Sequence, residues 1–199
     1  MSLTLKRALS LIFFFLMVSG LSSCGYNQIQ KNDEAVKKAW ADLQAALQRR
    51  HDLIPNLVEV VKAYAKHERQ TLEAVTRARA QVGQIQLSSE ITSDPKAMAR
   101  LAEAEGQLSA ALSRLLMVAE KYPELRSSDL FRDLLHQLEG TENRINVARI
   151  RYNRAVERFN VSIRIFPNNL TNRFLLHYST KEPFQAPLEA QTAPKVKFD

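Results

Sequence analysis

In four long stretches the apolar residues return every three or four positions. Val36, Trp40, Leu43 and Leu47 set the rhythm first. Leu57, Val61, Tyr64, Leu72 and Val75 continue it, followed by Met98, Leu101, Leu108, Leu112, Leu115, Ala119 and Tyr122, where only Glu105 interrupts. The last stripe is Phe131, Leu134, Leu138, Ile145, Ala148, Tyr152, Val156, Phe159 and Ile163. Such spacing places one apolar stripe on each α-helix. No segment sustains the two-residue alternation of a half-buried strand. Glycine, the commonest helix breaker after proline, occurs only five times in 199 residues. The class is all-α, and amphipathic helices with short connections predict an antiparallel up-and-down four-helix bundle with an extended C-terminal tail.

Turn and cap residues set the expected boundaries. The first helix spans 32–50, with Asn32 or Asp33 as its cap. The second spans 53–84. A proline inside a helix costs about 3 kcal/mol or kinks it, so Pro55 predicts a tight turn at His51–Leu53, with Asp52 as N-cap. A single kinked helix is the alternative. Ser88–Pro95 reads as a polar loop, and Asp94-Pro95 opens a third helix that stops near Lys121. The fourth helix runs over 128–165 and is ended by Pro167. The tail, 167–199, holds four of the seven prolines and the aromatics Phe174, Tyr178, Phe184 and Phe198. Its first half is expected to pack on the bundle.

The N-terminus has its own character. Lys6 and Arg7 precede a run of about a dozen apolar residues, Ala8–Val18, and then small ones. That is the pattern of a secretory signal, and it is shorter than the roughly 20 residues of a bilayer span. An uncleaved anchor is the alternative. Leu21-Ser22-Ser23 leads into Cys24, the only cysteine, and this resembles a bacterial lipobox. Residues 1–23 are therefore expected to be a lipoprotein signal, Cys24 the lipidated residue and 24–31 a tether. The acyl chains would hold the protein on the membrane. Gly25, where aspartate would retain a lipoprotein at the inner membrane in enteric-type sorting, favours the outer membrane, with the domain facing the periplasm or the exterior.

Loss of Lys6 and Arg7 lowers the formal net charge by two from +7. A basic envelope protein meets anionic headgroups, wall polymers or an acidic partner, not nucleic acid. A single cysteine excludes an internal disulfide. No glutamate has a histidine three residues later, as ferritin-like di-metal bundles require. His67-Glu68 lacks the second histidine of a zinc-protease helix, and no phosphate-binding glycine loop or nucleophile elbow occurs. With four histidines, His51, His67, His136 and His177, no metal site, cofactor or catalytic set is expected.

Two polar clusters remain. His51, Asp52, Asn56 and Glu59 crowd one corner. They read as caps and a satisfied network, or else as a contact or weak cation site. Asn146, Arg149, Asn153 and Asn160 share a face beside the apolar stripe of the fourth helix, with Glu142 just before them. Buried amides that fix helix register explain them most simply. Arg144, Arg151, Arg154 and Arg158 lie opposite and read as a solvated face or a basic contact surface.

The stretches Ala39–Leu43, Arg49–Glu59, Tyr64–Glu68, Val118–Leu125, Thr141–Ile145 and Phe166–Asn168, with Cys24-Gly25-Tyr26-Asn27 before them, resemble the LemA family over nearly the whole mature chain. The resemblance implies a helical bundle held at the bacterial envelope and no established enzymatic activity. It implies an envelope partner such as a membrane protease or quality-control factor. Three functions follow as expectations: a non-catalytic lipoprotein presenting a surface to that partner, a self-assembling structural lipoprotein, or an enzyme using the His51–Glu59 corner with His67.

Overall fold

The structure, a computed structural model, describes the backbone of residues 3–185 and the side chains of residues 25–185. It is all-helical, with no strand among the described residues. Six α-helices occur there: α1 Leu3–Tyr64, α2 Arg69–Gly83, α3 Pro95–Lys121, α4 Pro123–Ser127, α5 Asp129–Ser162 and α6 Asn168–Thr171. A 3₁₀ turn, Ser89–Ser93, precedes α3, and a π turn, Asn172–Leu176, follows α6.

The stripe on α1 is longer than the four residues that predicted it. Ile29, Asp33, Val36, Trp40, Leu43, Leu47, Arg50, Ile54, Leu57 and Val61 alternate steps of four and three, and all ten are buried. That 3.5-residue repeat is the seam of helices packed side by side. The stripe on α5 meets it along most of its length. Trp40 tilts against Tyr152 with ring centroids 5.3 Å apart, and Arg50 reaches Glu142. Numbers rise along α1 as they fall along α5, so the pair is antiparallel. α2 folds back on α1 and lies along α3.

The core divides into two clusters along this pair. Near the chain start, Ile29 to Leu47 pack with Met98, Leu101, the second half of α5 and Phe184. Beyond it, Ile54 to Ala65 pack with α2, the rest of α3, α4 and the first half of α5. Each fully buried Leu, Ile or Phe contributes about 1.5–3 kcal/mol relative to exposure.

Four expectations are corrected. First, α1 continues without a break through His51–Leu53 and carries Pro55 in its interior, the single-helix alternative rather than the tight turn. Second, the predicted helix 53–84 breaks at Ala65–Glu68. Continuing the stripe would have put Glu68 in the core. The turn instead leaves Ala65 and Leu72 buried on either side of it and Glu68 accepting a 3.3 Å bond from the Tyr122 hydroxyl. Third, residues 25–33, expected as tether and cap, lie inside α1. Ile29 is in the core, and the buried Asp33 carboxylate pairs at 2.9 Å with Lys37, one turn on, instead of capping. Fourth, the tail begins as α6 and the π turn. His177, in the left-handed region at φ 54°, then turns the chain, and residues 178–185 return over α5. Asp94 caps α3 as expected, accepting from Lys96 N and Ala97 N at 2.9 and 3.1 Å. The Cys24 side chain, those of the expected signal, and residues 186–199 with Phe198 lie outside the described residues.

Candidate functional site

The first cluster does not converge. Asp52, Asn56 and Glu59 are exposed along one face of α1. Asp52 accepts from Gln48 at 2.7 Å, and Glu59 pairs loosely with Lys62 at 3.4 Å. His67 is exposed in the α1–α2 turn. Only His51 faces inward, and it faces the backbone of α2. Its Nε2 lies 3.3 Å from the Arg79 carbonyl oxygen, while Arg79 Nε donates to the His51 carbonyl at 3.1 Å. An acid–base set at this corner is not assembled.

The Arg79 bond explains why α1 survives Pro55. In an unbroken helix, the N–H of residue 55 bonds the carbonyl of residue 51. Proline has no N–H, so the His51 carbonyl is orphaned. Arg79, on the neighbouring helix, supplies the missing donor. The cluster's histidine is therefore half of a reciprocal clamp between α1 and α2.

The residue beside it was missed. Arg50 is 3% exposed. Its guanidinium pairs with the buried Glu105 of α3 and donates to Glu142 Oε1 of α5 at 2.8 Å and to Ser109 Oγ at 3.1 Å. Three helices meet on one cation. Glu105 was visible as the interruption in the third stripe, and Arg50 falls on the α1 seam. Together those two misplaced charges were the signal.

The second cluster splits into two roles. Asn146 and Arg149 bond only each other, at 2.8 Å near solvent. Asn153 and Asn160 grip the tail. Asn153 donates to the Phe184 carbonyl at 3.0 Å and accepts from the Phe184 N–H at 2.8 Å. Asn160 does the same with Lys181, both bonds at 2.8 Å. Each amide presents a donor and an acceptor side by side, as a neighbouring strand would. The spacing fits: seven helical residues rise about 10.5 Å, and three extended residues span about 10 Å. Asn172 repeats the device with Tyr178, at 3.0 and 2.9 Å. Tyr152 donates to the Glu182 carbonyl at 2.7 Å, and Glu182 N–H donates to Thr92 O at 2.7 Å. Burial, then the Glu182 charge, pushes the Tyr152 phenol above its ordinary range. Lys181 reaches Ser93 Oγ at 3.1 Å and lies 3.9 Å from buried Asp33.

The tail thus covers one flank of the α1–α5 seam. The opposite flank is open. A groove of about 580 Å³ runs there over Ala45, Ala46, Val147 and Ala148, with Arg49, Arg144 and Arg151 on its rim and Asp42 as the one acidic group. A second groove of about 950 Å³ lies between α1 and α2, near Glu59, Lys62, Lys66 and Arg69. Among the described residues no group of three His, Asp or Glu side chains could hold a metal ion.

The model of the LemA family matches residues 39–198, most of the chain, from the middle of α1 onward. The chain belongs to the LemA family. It is 24% identical to "Protein LemA" of Metamycoplasma hominis, over 79% of this chain and 70% of that protein. It is 25% identical to "Magnetosome protein MamQ 2" of Paramagnetospirillum magneticum, over 80% of this chain and 64% of the relative. The MamQ of Magnetospirillum gryphiswaldense is 25% identical over 71% of this chain. This LemA-family chain therefore spans between 58% and 70% of the length of those relatives. None of the names denotes an enzyme.

Proposed function

We propose that this protein is a non-catalytic lipoprotein of the cell envelope, anchored through Cys24, whose helical bundle offers a surface to an acidic segment of an envelope protein. LemA membership supports the envelope association. The bundle would be the antiparallel α1–α5 pair with α2 and α3 laid against its far half. The observation that carries the reading is the use made of the polar residues. His51, Arg50, Asn153 and Asn160 are spent on holding helices and tail together. Among the polar groups not spent in this way are Arg49, Arg144 and Arg151 on the rim of the open groove. Gly25 after Cys24 fits the outer membrane.

The test is crosslinking in intact cells with mass spectrometry of captured protein, on wild type, Cys24→Ser and Arg144→Glu/Arg151→Glu. The purified wild type is weighed for acyl chains. One partner captured from acylated wild type, and lost in both variants, is the expected result. Unmodified Cys24 ends the lipoprotein reading. Self-capture alone favours a self-assembling structural lipoprotein, and capture that survives the charge reversal removes the groove from the account.

A further inference from the structure

The end of the molecule where α1 emerges is unlike the rest of its surface. Of the twelve large hydrophobic residues exposed among the described residues, seven lie here. Phe166, Phe174 and Leu175 are 78%, 69% and 63% exposed, with Val161, Ile165, Leu170 and Tyr26 beside them. An apolar patch of this density marks a contact surface. It is built by the turn 163–167, α6 and the π turn, and α6 sits against the start of the domain. A Cβ on Gly25 would stand 2.6 Å from Asn168 Oδ1 and 3.3 Å from Thr171 Oγ1.

Two facts choose the occupant. The first is place. Residue 25 follows Cys24 directly, and seven helical residues, about 10 Å, separate it from the end of the apolar run at Val18. The headgroup layer is about 5–8 Å deep on each side of the hydrocarbon core. Whether the chain is held by acyl chains or by its apolar run, this patch lies beside the bilayer. The second is charge. Val161–Tyr178 holds Arg164 and Arg173 and no Asp or Glu. Arg173 sits with its guanidinium carbon 5.9 Å from the Phe174 ring centre. Aromatic and aliphatic side chains with flanking arginine suit the boundary between headgroups and acyl chains of an anionic membrane.

We infer that the turn 163–167, α6 and the π turn form a membrane-docking surface that seats Phe166, Phe174 and Leu175 in an anionic bilayer. This rests on the anchored reading above. It adds that the bundle does not swing on a flexible leash. The anchor and the patch are two attachments on one rigid end, so α1 and α5 project from the membrane with their grooves at a set height.

The test uses the full chain in phosphatidylcholine–phosphatidylglycerol vesicles carrying brominated acyl chains. Phe174→Trp is compared with Met117→Trp, an exposed site on α3 away from this end. Trp40, buried in the core, is a constant background in both. Circular dichroism confirms folding, and Phe166→Trp serves as a second probe should one variant misfold. Bromine quenching several-fold stronger at position 174 than at 117 is expected. Equal quenching overturns the inference. Shielding of position 174 from aqueous acrylamide without bromine quenching assigns the patch to a protein partner or a second copy, and also overturns it. Retention after carbonate washing reads the anchor separately. The same full chain added to preformed vesicles still reports docking if the anchor is lost.

Discussion

Pro55 and Arg79 make a sharp test of how α1 is held. If Arg79 replaces the hydrogen bond that Pro55 removes, the two residues must be energetically coupled. Arg79→Ala in the wild type leaves the His51 carbonyl without a partner and also frees the His51 ring from its setting. Loss of a charged donor to a half-buried acceptor costs about 1.5–3 kcal/mol. In a Pro55→Ala background the new N–H of residue 55 bonds that carbonyl within the helix. Arg79→Ala should then cost about 1–2 kcal/mol less. Pro55→Ala alone should be stabilising. It recovers part of the roughly 3 kcal/mol that an interior proline costs, minus about 0.4–1 kcal/mol for the freer unfolded chain. The assay is urea unfolding of the four proteins in detergent, followed by circular dichroism. A cycle that closes to within about 0.3 kcal/mol would show the sites to be independent and would refute the donor-replacement argument. So would a destabilising Pro55→Ala.

Other consequences can be checked in the same material. Arg50→Leu strands the Glu105 carboxylate in the core and should cost about 3–5 kcal/mol, whereas Arg50→Leu/Glu105→Leu should regain most of it. Glu142→Gln, at the half-exposed end of the same network, should cost at most about 1 kcal/mol in urea unfolding. Asn153→Ala should speed hydrogen exchange at the Phe184 and Lys181 amides, while Asn153→Asp, which keeps the acceptor for Phe184 N–H, should do so less. Tyr152 gives a pH dependence. Its folded-state pKa is raised above the ordinary 10. Above about pH 10 the unfolded chain releases this proton and the folded chain keeps it, so stability is complete below that pH and falls as pH rises. Tyr152→Phe loses the bond to Glu182, about 1 kcal/mol, and loses the titration. The wild-type advantage at pH 8 should therefore shrink above pH 10, by at most about 1.4 kcal/mol per unit, in melting curves of the pair.

The helical class, the stripes on α3 and α5 and the Asp94 cap were legible because each is a local pattern. The α1–α2 boundary was not, and the reason is specific. Proline is a strong local signal, and its usual consequence is a break. Here Arg79, 28 residues in sequence from the His51 carbonyl that the proline orphans, cancels it. The true turn at Ala65–Glu68 holds no glycine or proline. Its one mark is Glu68 falling where the stripe needs an apolar side chain. The asparagines beside the stripe were read as buried amides fixing helix register, but Asn146 is exposed, and Asn153 and Asn160 hold a tail segment that no periodicity describes. Asn153 and Asn160 pair with backbone, and backbone has no sequence signature.

The same residues bear on function. An active site draws polar groups from several elements toward a shared point. In this chain the polar groups that leave the surface run the other way. Arg50 ties three helices, Arg79 repairs one, and Asn153, Asn160 and Asn172 fix a strap. Their polar groups are engaged by structural partners, the buried Arg50 Nε excepted. Among the described residues three buried side-chain polar atoms lack a hydrogen-bond partner, Asp33 Oδ1, Trp40 Nε1 and Arg50 Nε, all on the α1 seam; the larger unpartnered surfaces are the arginine-rimmed groove and the apolar end. Those two surfaces differ in character and sit on different parts of the α1–α5 pair. On the anchored reading proposed above, a molecule fixed to a bilayer at one end, with a basic groove along its side, would hold something acidic at a set distance from the membrane.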